Sequence, residues 1–157
     1  MEQSGTRSQD KNMFRGRSRH FLDTKGRLAI PARFREVLAA KSSNILVLTN
    51  HDSCLWAFAQ DEWKIIEEHA AKLPQLERAV NTYLRYFISG AQECVVKQGR
   101  ITIPPDLREI SGLKKEVVLV GGLKLFEIWD RERWEEEFER AKRNFPELSQ
   151  DLRGLGI

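Results

Sequence analysis

The chain has 157 residues, of which 41% are hydrophobic and 31% charged, with a formal net charge of +3. That suits one domain, or two small ones, with a real core, and excludes a fibrous or wholly disordered chain. No apolar run approaches the ~20 residues of a membrane span, and MEQSGTRSQDKN at the start lacks the apolar stretch of a secretory signal.

In chain order, residues 1–12 read as a polar tail. A basic stretch follows. Lys11, Arg15, Arg17, Arg19, Lys25, Arg27, Arg33 and Arg35 face a single acid, Asp23, whereas residues 130–151 hold eight acids and five bases. Such asymmetry fits a polyanionic partner or, equally, a solvated basic face. In RLAI (27–30) Leu28 and Ile30 alternate with Arg27 and Ala29, the period-two pattern of a half-buried strand. Gly26 supplies the tight turn into it. Pro31 ends it at the first helical position, and a short helix turns Phe34, Val37 and Leu38 inward. ILVL (45–48) and CLWAF (54–58) are strands around a loop at Thr49–Ser53, and Asp61 is a candidate N-cap for the next helix. Leu76, Val80, Tyr83, Leu84, Phe87 and Ile88 form a helical apolar stripe.

The pattern then starts again. RITI (100–103) follows Gly99, Pro104 ends it, and a helix with Leu107 and Ile110 inward stops at Gly112. VVLV (117–120) and LFEIW (125–129) flank a hairpin turn at Gly121–Gly122. Asp130 is a candidate N-cap for a helix with Trp134, Phe138, Ala141 and Phe145 on one stripe. Cys54 and Cys94 sit in strand-like apolar contexts and read as buried free thiols rather than a disulfide framework.

The chain is therefore an internal duplication. Leu22–Val37 aligns with Val95–Ile110 at an offset of 73, with Gly26/Gly99, Arg27/Arg100, Ile30/Ile103, Pro31/Pro104, Arg35/Arg108 and Glu36/Glu109 identical. Later the offset is 71, pairing Leu48 with Leu119, Trp63 with Trp134 and Ala70 with Ala141, so copy one has two extra residues near Lys41–Asn44. Each copy reads as strand, turn, strand, short helix, hairpin, helix. A unit of that size buries too little surface alone. Two copies packed with interleaved strands, in an α+β fold, resolve this.

An arginine after a turn glycine lies outward at a hairpin tip. Two guanidinium forks at pseudo-symmetric tips suit phosphates or guanine edges in a groove, with Lys25, Lys97, Arg15, Arg17 and Arg19 as phosphate contacts. The competing reading is intramolecular pairing of Arg27 and Arg100 with Asp23, Glu36 or Glu109.

MFRG (13–16), LDTKGRLAIPARFRE (22–36), GRITIPPDLRE (99–109) and GLKKEVVLVGGLKLFEIWD (112–130), in this order, resemble the MraZ family of bacterial transcriptional regulators, which have two tandem SpoVT-AbrB repeats. The resemblance covers nearly everything after Lys11. It implies a pseudo-two-fold swapped-hairpin β-barrel of AbrB type with flanking helices, with repeats at 17–64 and 93–136, connecting helices at 65–92 and a C-terminal helix and tail at 137–157. It implies double-stranded DNA as partner, a ring-shaped homo-oligomer in the cytoplasm and on the nucleoid, and direct repeats upstream of the protein's own division and cell-wall operon as target. Arg27 and Arg100 match the family's two DNA-binding arginines, and Lys25 the lysine beside the first. Val96 stands where the family has an acid before the second Gly-Arg, so the second tip is expected to be more basic and less ordered than the first.

Other signals point away from catalysis. His51, Asp52 and Ser53 are adjacent and cannot form a relay. His20, His51 and His69 are not at zinc spacing with the cysteines. Gly121–Gly122 lacks the context of a phosphate loop, and the carboxylates of Glu132–Glu139 are interspersed with arginines, as on a solvated helix face. No enzyme activity, cofactor, metal, small-molecule substrate or membrane association is expected. The rival readings are an oligomeric ring scaffold whose basic face docks a protein or membrane surface, and an antitoxin-like repressor.

Overall fold

The computed structural model describes residues 12–157; the polar tail expected over 1–12, Asn12 apart, and Lys11 lie outside them. Copy one runs β1 (Arg17–Phe21), β2 (Arg27–Ala29), α1 (Ala32–Ala40), β3 (Ile45–His51), β4 (Cys54–Ala59) and α2 (Gln60–Ala71). A connecting helix, α3 (Arg78–Tyr83), continues into a π-helical turn at Leu84–Ile88. Copy two repeats the order with β5 (Gln92–Val95), β6 (Arg100–Thr102), α4 (Pro105–Ser111), β7 (Glu116–Gly121), β8 (Leu125–Asp130) and α5 (Arg131–Arg153). The class is α+β, as the periodicities imply.

The copies exchange their opening strands. Antiparallel pairing places β1 on β7 of the other copy (Arg17 opposite Val120, Phe21 opposite Glu116). β5 lies on β3 of the first copy (Val95 opposite Ile45). The two hairpins join through β4 and β8, giving one sheet in the order β1-β7-β8-β4-β3-β5, while β2 and β6 pair with each other in a separate two-stranded sheet. Among the described residues the sheet stays open, so the closed barrel is not formed by these hydrogen bonds. Pro31 and Pro104 lack an N–H and cap the helices after β2 and β6, which limits each strand to three residues.

One face of the sheet carries the main core. Leu28, Ile30, Ile101 and Ile103 from the ribbon meet Phe34 of α1, Leu107 of α4 and the inward residues of β3, β4, β7 and β8. Phe14, Phe34 and Phe126 form a triad with ring centroids 4.7–5.3 Å apart, Phe14 meeting the other two edge to face. On the other face Val47, Phe58, Trp63 and Phe87 form a second cluster under α2 and the π-helical turn.

Several local expectations shift. The first hairpin turn is tighter than Thr49–Ser53: β3 runs to His51, and Asp52–Ser53 makes the turn with Ser53 at φ 57°. The second turn is centred on Leu123–Lys124 rather than Gly121–Gly122, since Gly122 N–H donates to Leu125 O. Gly121 is needed elsewhere: a Cβ there would lie 2.6 Å from Arg15 Cα and Phe14 O, where the N-terminal segment crosses β7. Pro31 and Pro104 occupy the N-cap rather than the first helical position, which Pro105 takes in α4. Asp61 lies within the first turn of α2, and buried Asp130, although at the N-cap of α5, accepts from the Lys114 N–H instead of capping. Ile110 is exposed. Gly112, at φ 65°, returns the Gly112 and Leu113 N–H groups to Glu109 and Arg108, and Leu113 packs on the core in place of Ile110. The α5 stripe meets the body over its first two turns, where Trp134 contacts Trp129 and Phe138 lies under Arg17 of β1; Phe138 stays partly exposed and Phe145 is exposed. Of the connecting stripe, Val80 and Phe87 are buried and Leu76 is fully exposed.

Candidate nucleic-acid interface

The β2–β6 ribbon has one buried face, Leu28 and Ile101, and one outer face, Arg27, Ala29, Arg100 and Thr102. Arg27 is opposite Thr102 and Arg100 opposite Ala29. The two arginines are thus diagonal neighbours on one surface, with Cα atoms about 7–8 Å apart. The small Ala29 and Thr102 leave nothing bulky between them.

The two tips differ in construction. Tip one is a three-residue loop, Thr24–Gly26. Asp23 N–H donates to Arg27 O at 3.2 Å, Gly26 N–H donates to Asp23 O at 3.0 Å, and Gly26 is at φ 81°. The Asp23 carboxylate accepts from the backbone N–H of Lys25 and Arg27 at 3.0 and 2.8 Å and from Arg27 Nε at 2.6 Å. The Arg27 N–H first, and then its guanidinium, holds this carboxyl below its ordinary value. The tip therefore keeps this geometry at neutral pH and loses it only as pH falls through the lowered value.

Tip two is a two-residue turn, Gln98–Gly99, with both residues at positive φ (51° and 75°) and paired backbone bonds between Lys97 and Arg100 at 2.9 and 3.0 Å. It is one residue shorter. Lys97, not Val96, therefore stands opposite the arginine, where Asp23 stands in tip one. Val96 N–H donates to Asn44 O just as Leu22 N–H donates to Lys115 O, and both side chains pack on the core. The acid of tip one is replaced by a lysine, and the turn is closed by backbone bonds instead. Among the described residues Arg100 has no side-chain hydrogen bond or ion pair, and neither Glu36 nor Glu109 pairs with the tip arginines.

The second arginine of each repeated phrase lies against the glycine of the opposite tip. An added Cβ at Gly26 would lie 2.7 Å from Arg108 Cζ, and one at Gly99 would lie 3.6 Å from Arg35 Cζ. Arg35 Nε also donates to Ile30 O at 3.1 Å. Gly99→Ala is expected to cost about 1–2 kcal/mol for the left-handed backbone alone. Gly26→Ala should cost about 1 kcal/mol more, because Arg108 must also move. Urea midpoints of the two variants check this; equal midpoints would show that Arg108 yields freely.

The remaining sequence candidates are divided. Lys25 and Lys97 sit on the tips. Arg17 lies at the far end of β1, about 20 Å along the strand from tip one, with its guanidinium 4.8 Å over the Phe138 ring of α5. It shares a cleft there with Arg19, Trp134, Glu135 and Glu139. Arg15 contacts Met13 Sδ, and its carbonyl accepts from Arg33 Nε. Two lysines escaped the sequence reading. Lys114 and Lys115 line a depression of about 700 Å³ with Asp23, Thr24 and Arg108, beside tip one. Their counterparts beside tip two, Ser43 and Asn44, are uncharged; only the cross-copy register of β1 on β7 reveals the placement.

Burial pushes the Cys94 thiol up to about 11 and Cys54 higher still, so neither is a nucleophile at neutral pH. Among the described residues no group of His, Cys, Asp or Glu is placed to hold a metal ion, and no helix is long and apolar enough to cross a membrane.

The two halves of this exchange-paired structure, residues 13–86 and 87–153, each match the family model described as "MraZ protein, putative antitoxin-like". The chain belongs to the MraZ family. It is 42% identical over 148 residues to the transcriptional regulator MraZ of Syntrophobacter fumaroxidans, covering 94% of this chain and 99% of that one. It is 41% identical over 141 residues to the transcriptional regulator MraZ of Ligilactobacillus salivarius, covering 89% and 96%. A third MraZ regulator, from Natranaerobius thermophilus, is 37% identical over 141 residues, again covering 89% and 96%. All three relatives are named as transcriptional regulators.

Proposed function

We propose that this protein is a sequence-specific regulator that binds double-stranded DNA through the outer face of the β2–β6 ribbon. The observation that carries this reading is the pair of arginines set diagonally on an exposed two-stranded ribbon with only small residues between them. A ribbon of that kind fits the major groove, and guanidinium forks match guanine edges and phosphates. Lys25, Lys97, Lys114 and Lys115 then act on phosphates, giving affinity and register. Arg17 and Arg19 have a weaker claim, since α5 lies against them.

The strand exchange supports an AbrB-type swapped-hairpin unit built from repeats 17–64 and 93–136. The exposed Phe138, Phe145 and Leu148 of α5 support self-association into a ring, in which each subunit presents one ribbon. Such an assembly suits direct repeats in DNA, here those upstream of the protein's own division and cell-wall operon, on the nucleoid in the cytoplasm. Light scattering at micromolar concentration should show an oligomer; a monomer would defeat the ring. Titrating DNA from upstream of its own gene against unrelated DNA should give about 10³-fold or greater preference and a steep loss of affinity with salt. Equal affinity for both DNAs would refute sequence-specific binding.

A further inference from the structure

A cavity apart from the ribbon lies on the sheet face opposite the main core. It has a volume of about 510 Å³ and lies between α2, the π-helical turn and the β7–β8 hairpin. That is within the range of small-molecule sites, which are mostly apolar with a few placed polar groups.

Its aromatic wall is held in place. Trp56 Nε1 donates to Glu127 Oε2 at 2.9 Å, and His51 stacks on the indole with ring centroids 3.6 Å apart and planes 9° apart. Buried Thr49 donates to Phe87 O at 2.5 Å, and Asn50 Nδ2 donates to Tyr86 O at 2.8 Å. These two bonds anchor the π-helical turn, a form that recurs at functional sites, and Tyr86 and Phe87 both line the cavity.

The duplication does not account for it. At the 71-residue offset, Trp56 becomes Glu127, Ile65 becomes Glu136 and Ile66 becomes Glu137. The helix face is apolar only in the copy that has the cavity, although Ile65 is 51% exposed there. The charges at the rim are unbalanced. Glu62 is already within 3.8 Å of Lys41, whereas the Lys124 ammonium has no hydrogen bond or ion pair among the described residues.

We propose that this cavity binds a small planar aromatic carboxylate, its ring system against the Trp56–Tyr86 wall and its carboxylate on Lys124. The site does not depend on the DNA reading. Titration calorimetry of the full chain with 2-naphthoate and its neutral analogue 2-naphthamide tests it. Both should bind, the carboxylate about fivefold more tightly, the order of a partly exposed charge-assisted hydrogen bond. Lys124→Ala should abolish that preference without weakening the amide. Ile65→Glu, at a half-exposed helix position, should abolish both while leaving the melting temperature unchanged, and Tyr86→Ala should weaken both. Absence of heat up to millimolar naphthoate, as would follow if a second copy covered the cavity, overturns the proposal. So does binding indifferent to Ile65→Glu and Lys124→Ala.

Discussion

Replacing Phe126 by alanine is expected to cost about 3–5 kcal/mol of stability, a large part of the ~5–15 kcal/mol that holds a domain of this size. Phe126 is fully buried on β8 of copy two. Its ring lies 4.7 Å from Phe34 on α1 of copy one and 5.0 Å from Phe14, which reaches in from the N-terminal segment. The triad therefore joins three parts of the chain that otherwise meet through exchanged strands. Truncation removes both the transfer free energy of the ring and the edge contacts, and the cavity lies between elements that the sheet holds apart. The corresponding positions in the other half are Leu107 and Leu55, also buried. Leu55→Ala should cost about 2–5 kcal/mol but lacks the aromatic contribution, so Phe126→Ala should be the more damaging. Urea unfolding with an unchanged m-value checks this. A loss below about 1 kcal/mol at Phe126 would mean that the triad does not tie the copies together.

How far this structure could be read from residues alone follows from where the information lies. The order of elements is local: the alternation around Leu28–Ile30 and Ile101–Ile103, the prolines, and Gly112 after α4 each act through backbone sterics or period-two burial. The duplication exposed them twice. Which strand pairs with which is not local. Nothing in RSRHF (17–21) specifies β7 of the other copy as its neighbour, and only that register brings Lys114 and Lys115 beside tip one. The tips show the same limit. A one-residue shortening of the second turn is invisible in an ungapped overlay, which set Val96 against Asp23; the backbone bonds between Lys97 and Arg100 correct it. Turn centres and caps shifted by a residue or two because buried partners decided them. Gly121 serves the close approach of Phe14–Arg15, and Asp130 turns to the Lys114 N–H. The π-helical turn was hidden because its cause, the bonds from Thr49 and Asn50, lies more than thirty residues away.

The arginine variants should differ in kind as well as in size. Arg27 is held by Asp23 in one geometry, which suits a base edge, whereas Arg100 stands beside Lys97 and, among the described residues, pairs with no acid, which suits phosphates. Arg27→Ala should cost about 1–3 kcal/mol of specific binding and mainly reduce the ratio of operator to random affinity. Arg100→Ala should weaken operator and random DNA alike and lower the salt slope by about one. Both side chains lie on the outer face of the ribbon, so melting should change little.

The double variant Arg27→Ala/Arg100→Ala, measured on upstream and random DNA at several salt concentrations beside the wild type, tests the ribbon as the DNA-reading surface most directly. The expected result is a larger loss of upstream-DNA affinity than the about 1–3 kcal/mol of Arg27→Ala alone, with discrimination between the two DNAs reduced as in that single variant and the salt slope lowered by about one, in a protein that melts as the wild type does. Retention of wild-type affinity and discrimination by the folded double variant would contradict it and place the DNA-binding surface elsewhere on the molecule.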